Sequence, residues 1–258
     1  MKVRKPAVAG YFYPANPERL KSLVDGLLGE EVRVEGKVRG LVAPHAGYEY
    51  SGRTAGKVYS TMKGKGFKRV VLVGPSHFVG FEGISFGDFD AFETPLGLVW
   101  VDKESIEGFT RGRRELHEEL PHLWEHSLEV ELPFLQRALG DFLLLPVVYG
   151  RVRAERIKEV LEFFEGEDTL FIISSDLSHY YDDTTARRLD MNCHLWITEG
   201  REDLKEGCLA CGKRGIEGAV LYARERGYRA VLVDYSTSAE ASGERDRVVG
   251  YGGYAFIS

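Results

Sequence analysis

Cysteine, methionine and tryptophan occur only three times each in this chain of 258 residues, and no apolar run approaches the ~18 residues of a membrane span. Three cysteines (Cys193, Cys208 and Cys211) are too few for a disulfide scaffold. The opening "MKVRKPAVAGYFYP" is basic, but its apolar part is too short and broken for a signal peptide. A reducing cytoplasmic location is therefore expected. No segment carries a block of Lys and Arg, and the net charge is −6, which argues against nucleic acid or an anionic membrane as partner. Glutamine and asparagine are scarce while charged residues reach 29%, a balance that leans towards a thermophile.

What the chain does have is apolar residues, 43% of the total, with 14 Phe and 13 Tyr, enough for a substantial core. Five short continuous runs, "VRGLVAP" (38–44), "RVVLVGP" (69–75), "FLLLPVVYG" (142–150), "TLFIISSD" (169–176) and "RAVLVDYS" (229–236), read as strands buried on both faces. Between them, residues 17–28, 51–62, 127–139, 154–165 and 215–227 carry helical periodicity, with Ser51 and Ser127 as candidate N-caps and Gly227 as a stop. Residues 83–102 suggest a hairpin around Pro95-Leu96-Gly97, and 247–258 a closing strand. The expectation is one domain spanning residues 1–258, a three-layer αβα sandwich around a mostly parallel, mixed sheet.

Chemistry concentrates just beyond the strands. Pro44-His45, Pro75-Ser76-His77 and Asp176 with His179 each follow an apolar run. Ligands of open α/β sheets bind beyond the carboxyl ends of the strands, so these residues can converge without being close in sequence. Two imidazoles and a carboxylate with open positions suit non-haem Fe(II), and equally Zn(II) with a bound water. Asp176 and His179, three apart, would share a face if "SSDLSHY" begins a helix, with Asp176 orienting His179 as acid or base; the same Ser175 or Asp176 would serve equally as a helix cap. His122-Leu-Trp-Glu-His126 matches the H-x-x-E-H of inverted zinc peptidases. Pro121 and Pro133 leave it little helix, and His126 reads better as a loop residue aimed into the crevice. Cys208-x-x-Cys211 has no second pair, and reads as two small buried residues. Cys193 is assigned no chemistry.

Taken in order, "RKPAVAGYFYPANPERL", "LVAPHAGYEYSG", "VVLVGPSHF", "TPLG", "EHSLEVELPFL", "SSDLSHY" and "CG" at 211–212 resemble the Memo family, including the Memo component of the AmmeMemoRadiSam system. That resemblance implies a fold similar to class III extradiol dioxygenases, enzymes that open catechol rings at a mononuclear Fe(II), with a metal-capable crevice. For animal members it also implies redox-metal binding and phosphopeptide recognition in motility signalling. It places His45 and His77 on the two metal-binding histidines, and Asp176 and His179 on an acid and a histidine of the same pocket. The third ligand of animal Memo, a cysteine, aligns with Ala241 here, beside Glu240 and before Glu244. Glu240 is then the candidate third ligand, with His45, His77 and His179 alone as the alternative.

The expected roles are metal binding by His45, His77 and Glu240, and proton handling or substrate positioning by His126, Asp176 and His179. Fe(II) ranks first, with Zn(II) or copper behind it and purification without metal also open. The expected function is that of a metal-dependent oxidoreductase acting on a small substrate. The competing reading is a module that binds a metal, a phosphorylated ligand or a partner protein, other AmmeMemoRadiSam components among them. A zinc hydrolase comes third.

Overall fold

A computed structural model describes all 258 residues. The strands are β1 (Val3–Arg4), β2 (Val38–Ala43), β3 (Arg69–Pro75), β4 (Ile84–Ser85), β5 (Ala91–Thr94) and β6 (Gly97–Val101). They continue as β7 (Leu143–Tyr149), β8 (Thr169–Ser174), β9 (His179–Tyr181), β10 (Arg229–Thr237) and β11 (Val248–Ile257). The helices are α1 (Pro17–Leu28), α2 (Tyr48–Ser60), α3 (Lys103–Thr110), α4 (Leu120–Leu123) and α5 (His126–Glu129). After them come α6 (Leu132–Leu139), α7 (Ala154–Phe163), α8 (Asp183–Glu199), α9 (Lys213–Arg226) and α10 (Ala239–Ser242).

All eleven strands join one mixed sheet, in the order β1-β5-β6-β7-β3-β8-β2-β11-β10, with β4 against β7 and β9 against β11. Its centre, β7-β3-β8-β2, is parallel and almost wholly buried. Because side chains alternate along a strand, Val70 and Leu72 of β3 enter one core with α1, α2 and α6. Val71 and Val73 enter a second core with α7, α8 and α9. Two cores of 31 and 30 buried residues, one on each face, make this a three-layer sandwich.

The hairpin forms as expected, with Thr94 opposite Gly97 across Pro95-Leu96. Several other expectations are corrected. The run at 229–236 is not buried on both faces: β10 is the sheet's last strand, paired only with β11, and Leu232 is exposed. The segment 247–258 does not close the sheet but lies inside it, between β2 and β10. Helix α2 starts three residues before Ser51, with Gly47 at its N-cap. The helix expected at 127–139 is broken into α5 and α6, because Pro133 in the first turn of α6 has no N–H to give to the preceding turn. Glu125, not Ser127, caps α5, its side chain accepting from the Ser127 N–H. Residues 176–179 do not begin a helix; residues 175–178 have no regular structure and lead into the short strand β9, and Asp182 caps α8 through the Thr185 N–H.

Candidate metal centre

The parallel strands β2, β3 and β8 end at one edge of the sheet, and each ends for a local reason. Pro44 and Pro75 supply no backbone N–H to prolong the ladder. Beyond Pro44 the His45 N–H donates to Asp176 Oδ1 at 2.8 Å, tying the end of β2 to the loop after β8. Gly74 lets α5 press against β3, since a Cβ there would lie 2.5 Å from Ser127 Oγ. Gly212 does the same for the loop before α9, where a Cβ would meet the Ser175 Cβ at 2.6 Å.

This edge gathers His45, His77 and His126, which can each offer one ring nitrogen with all three within 4.8 Å of one another. The rings of His77 and His126 stack at 4.6 Å, and His45 stands edge-on to both, at 5.1 and 5.3 Å. His45 is only 2% exposed. Burial, reinforced by His77, lowers its pKa to about 3. Burial, with His45 and His77 beside it, lowers that of His126 to about 4. Both rings are therefore neutral near pH 7, the form that binds metal.

The outer nitrogens are held from behind. His77 Nδ1 is 2.8 Å from Glu125 Oε1, and the His77 N–H donates to Glu125 Oε2 at 2.5 Å. Burial alone would raise the Glu125 pKa, but the hydrogen bonds from His77 and Ser127 hold it at about 2, so this is a carboxylate. His45 Nδ1 is 2.7 Å from Ser174 Oγ. His126 Nδ1 is buried with no hydrogen-bond partner. An orphaned buried nitrogen costs roughly 1–3 kcal/mol, and a metal ion held among the three imidazoles is one group that could satisfy it. The donor set fits a borderline transition metal.

Two further groups line the site. Asp176 Oδ2 lies 3.8 Å from His45 Nε2, and burial raises its pKa against the opposing His45 N–H. Cys211 Sγ lies 3.4 Å from the same Nε2, and burial followed by the charge of Asp176 pushes the thiol up to about 12. A cavity of about 630 Å³, lined by Pro75, Ser76, Phe81, Tyr149 and Cys211 among others, opens beside them. A larger cavity, about 860 Å³, lies instead against the Pro95–Trp100 hairpin and α1, and contains none of these residues.

Several sequence expectations need correction here. Glu240 is not with the histidines: it sits on α10, its side chain 48% exposed, with Oε1 accepting from Arg187 at 2.9 Å. Its place as third member is taken by His126. His179, on β9, is near enough to act electrostatically on Asp176 and His45 but is outside the group of three. Asp176 does not orient His179; its hydrogen bond goes to the His45 backbone. The H-x-x-E-H spacing does not build a metal pair. His122 is buried with Nε2 3.0 Å from the Ser85 carbonyl, and Glu125 faces His77. Cys208 is not a simple buried residue but forms a disulfide with Cys193, leaving Cys211 free.

The residues missed from sequence are Glu125 as partner of His77, together with Ser174, Glu131 and Cys211. The signal for the two glutamates was "EHSLEVEL", whose three glutamates are all buried. Glu129 accepts from the N–H groups of Ala7 and Val8, from Tyr13 Oη and from Arg4, pinning the N-terminal segment to α5. Phe12 of that segment packs on His126 at 4.9 Å.

Fold and site together define an α/β sandwich with a metal-capable cluster of three histidines at the carboxyl edge of its sheet. The family model described as "Memo-like protein" matches residues 4–255. The chain is 38% identical to a "MEMO1 family protein" of Aquifex aeolicus, over all of both chains. It is also 38% identical to one of Archaeoglobus fulgidus, covering 98% of this chain and 99% of the relative. A "MEMO1 family protein Ta0237" of Thermoplasma acidophilum is 35% identical over 96% of each. This chain belongs to the Memo family.

Proposed function

We propose that this protein binds a single Fe(II) or Zn(II) ion through His45, His77 and His126, and that the bound metal serves oxidation of a small substrate admitted from the adjoining cavity. The observation that carries this reading is the convergence of three imidazole nitrogens within 4.8 Å, one of the rings holding a buried, unpartnered Nδ1. Three imidazole nitrogen donors leave coordination positions open, as a catalytic rather than a purely structural site requires. When bound, the metal supplies Lewis acidity and, if iron, redox chemistry.

The chain's own contribution is orientation and proton handling. Glu125 and Ser174 fix the rings of His77 and His45. Asp176 stands beside the cluster with its carboxyl raised by burial, able to hold a proton at Oδ2. His179 is the second proton-handling candidate from the same motif. The thiol of Cys211, kept neutral by burial, lines the cavity rather than offering a thiolate.

The test is metal analysis of untagged protein purified without oxygen, followed by calorimetric titration of the metal-free form with Zn(II) and, anaerobically, Fe(II). One equivalent bound tightly by the parent, and lost in His45→Ala/His77→Ala with an unchanged circular dichroism spectrum, supports the reading. Equal affinity in parent and double variant refutes it. If metal binds but no oxygen uptake accompanies any candidate substrate, the site is a binding module.

A further inference from the structure

Behind His45 runs a chain of buried hydrogen bonds that metal binding does not by itself require. His45 Nδ1 lies 2.7 Å from Ser174 Oγ. That hydroxyl lies 2.6 Å from the Ser127 carbonyl and 3.1 Å from Glu131 Oε1. The other Glu131 oxygen accepts from Tyr59 Oη at 2.6 Å. Ser174, Glu131 and Tyr59 are all completely buried, so water cannot substitute for any of these partners.

A serine hydroxyl has one proton to donate and two lone pairs. The Ser127 carbonyl can only accept, so the Ser174 proton is directed there. Glu131 strengthens the arrangement in either protonation state. As a carboxylate it is a second claimant on that proton, and as an acid it donates to the remaining lone pair. In neither case does Ser174 have a proton left for Nδ1, which must itself be the donor. A neutral imidazole carries one N–H, so Nε2 is left with a free lone pair.

We propose that Ser174 and Glu131 are positioning residues that lock His45 in the Nδ1–H tautomer and so present Nε2 as its ligand atom. The consequence for metal affinity rests on the three-histidine reading; the tautomer itself does not. The arrangement parallels that of His77, whose Nδ1 faces Glu125, but it uses a hydroxyl braced by a buried acid in place of a direct carboxylate. It also accounts for the last glutamate of "EHSLEVEL", which touches neither histidine nor cavity yet is wholly buried.

The experiment is nitrogen-15 NMR of the imidazole nitrogens in metal-free, histidine-labelled protein, with His45 assigned by its loss in His45→Ala. The same proteins are then titrated with Zn(II). The parent should show the His45 proton on Nδ1. Ser174→Ala should populate the Nε2–H form and weaken Zn(II) binding by about 10–100-fold, the range usual for loss of a partner behind a metal ligand. Glu131→Leu should fall between parent and Ser174→Ala in both readouts, and Glu131→Gln, which keeps a donor and an acceptor, should restore the parent's. A proton on Nε2 in the parent overturns the proposal without recourse to any variant. Unchanged tautomer and affinity in Ser174→Ala also overturns it, and identical behaviour of Glu131→Leu and Glu131→Gln removes Glu131 from the lock. If the tautomers behave as stated while the parent takes up no Zn(II), the lock stands and the metal reading falls.

Discussion

Glu125 binds His77 twice, through the ring Nδ1 at 2.8 Å and through the backbone N–H at 2.5 Å, while also capping α5 at the Ser127 N–H. One buried carboxylate thus sets the orientation of one histidine of the cluster and the start of the helix that carries another, His126. Carboxylate–imidazole pairs of this kind orient metal ligands and raise their basicity.

Glu125→Gln keeps the size of the side chain but removes the charge. Zn(II) affinity should fall by about 10–100-fold, measured by calorimetry on protein whose circular dichroism matches the parent. Affinity within twofold of the parent would remove Glu125 from the site.

His126 and Glu240 make a discriminating pair. His126→Ala should weaken metal binding by at least about 10-fold, a larger loss than a group behind the ligands causes. Glu240→Gln, on an exposed carboxylate paired with Arg187, should leave affinity unchanged and cost no more than about 0.5 kcal/mol of stability. The reverse result would restore the tail of the sequence as a source of the third ligand.

The Cys193–Cys208 disulfide closes a loop with a sequence separation of 15, for which chain entropy predicts about 3 kcal/mol. Thermal unfolding with and without a thiol reductant should show a lower midpoint on reduction, and Cys193→Ala/Cys208→Ala should match the reduced parent.

Arg4 and Glu129 form an ion pair buried on both sides, and Glu129 also accepts from three other donors in the N-terminal segment, the N–H groups of Ala7 and Val8 and the Tyr13 hydroxyl. Removing one member leaves the other charged and unpaired, at a cost of about 3–5 kcal/mol. Arg4→Met should therefore lower the midpoint of chemical unfolding far more than Arg201→Met, whose Asp203 partner is exposed. Equal effects would mean the N-terminal segment does not brace α5.

Acid should destabilise the metal-free protein early. His45, His122, His126 and His194 all have pKa values lowered by burial, to about 3, 4, 4 and 4 respectively. Unfolding returns them to about 6.5, so the unfolded chain binds more protons between the two values. Their contribution is present in full above pH 6.5 and is lost as pH falls towards 4, at about 1 kcal/mol per pH unit for each. Glu131 acts in the opposite sense. Burial raises its pKa to about 8, so its contribution is present below 4.5 and is lost as pH rises through 8. Urea unfolding across pH 4 to 8 should show the steep acid limb in the parent, and a shallower alkaline limb in Glu131→Gln.

Much of this was legible locally. Of the five continuous Val, Ile and Leu runs read as strands covered on both faces, four are such strands, β2, β3, β7 and β8, and the fifth became the edge strand β10. Proline after a run stops the ladder, which located His45 and His77 at strand ends. The Pro95-Leu96 turn and the Gly227 stop depend on backbone preferences of a few neighbouring residues, and both formed where expected.

The remaining features depended on residues far apart in the chain. Whether His126 or Glu240 joins His45 and His77 depends on where α5 and α10 are packed. Gly74 admits α5 against β3, Glu129 ties it to the N-terminal segment, and Arg187 holds Glu240 away. The choice of Cys193 over Cys211 as the partner of Cys208, and the place of β11 inside the sheet, are likewise decided across long separations. Periodicity and turn chemistry act over a few residues, so the sequence by itself determined the central strands β2, β3, β7 and β8 and where they stop. Convergence of side chains is a property of packing between segments tens to more than a hundred residues apart, so the third histidine and the groups behind the other two were decided only by the tertiary structure.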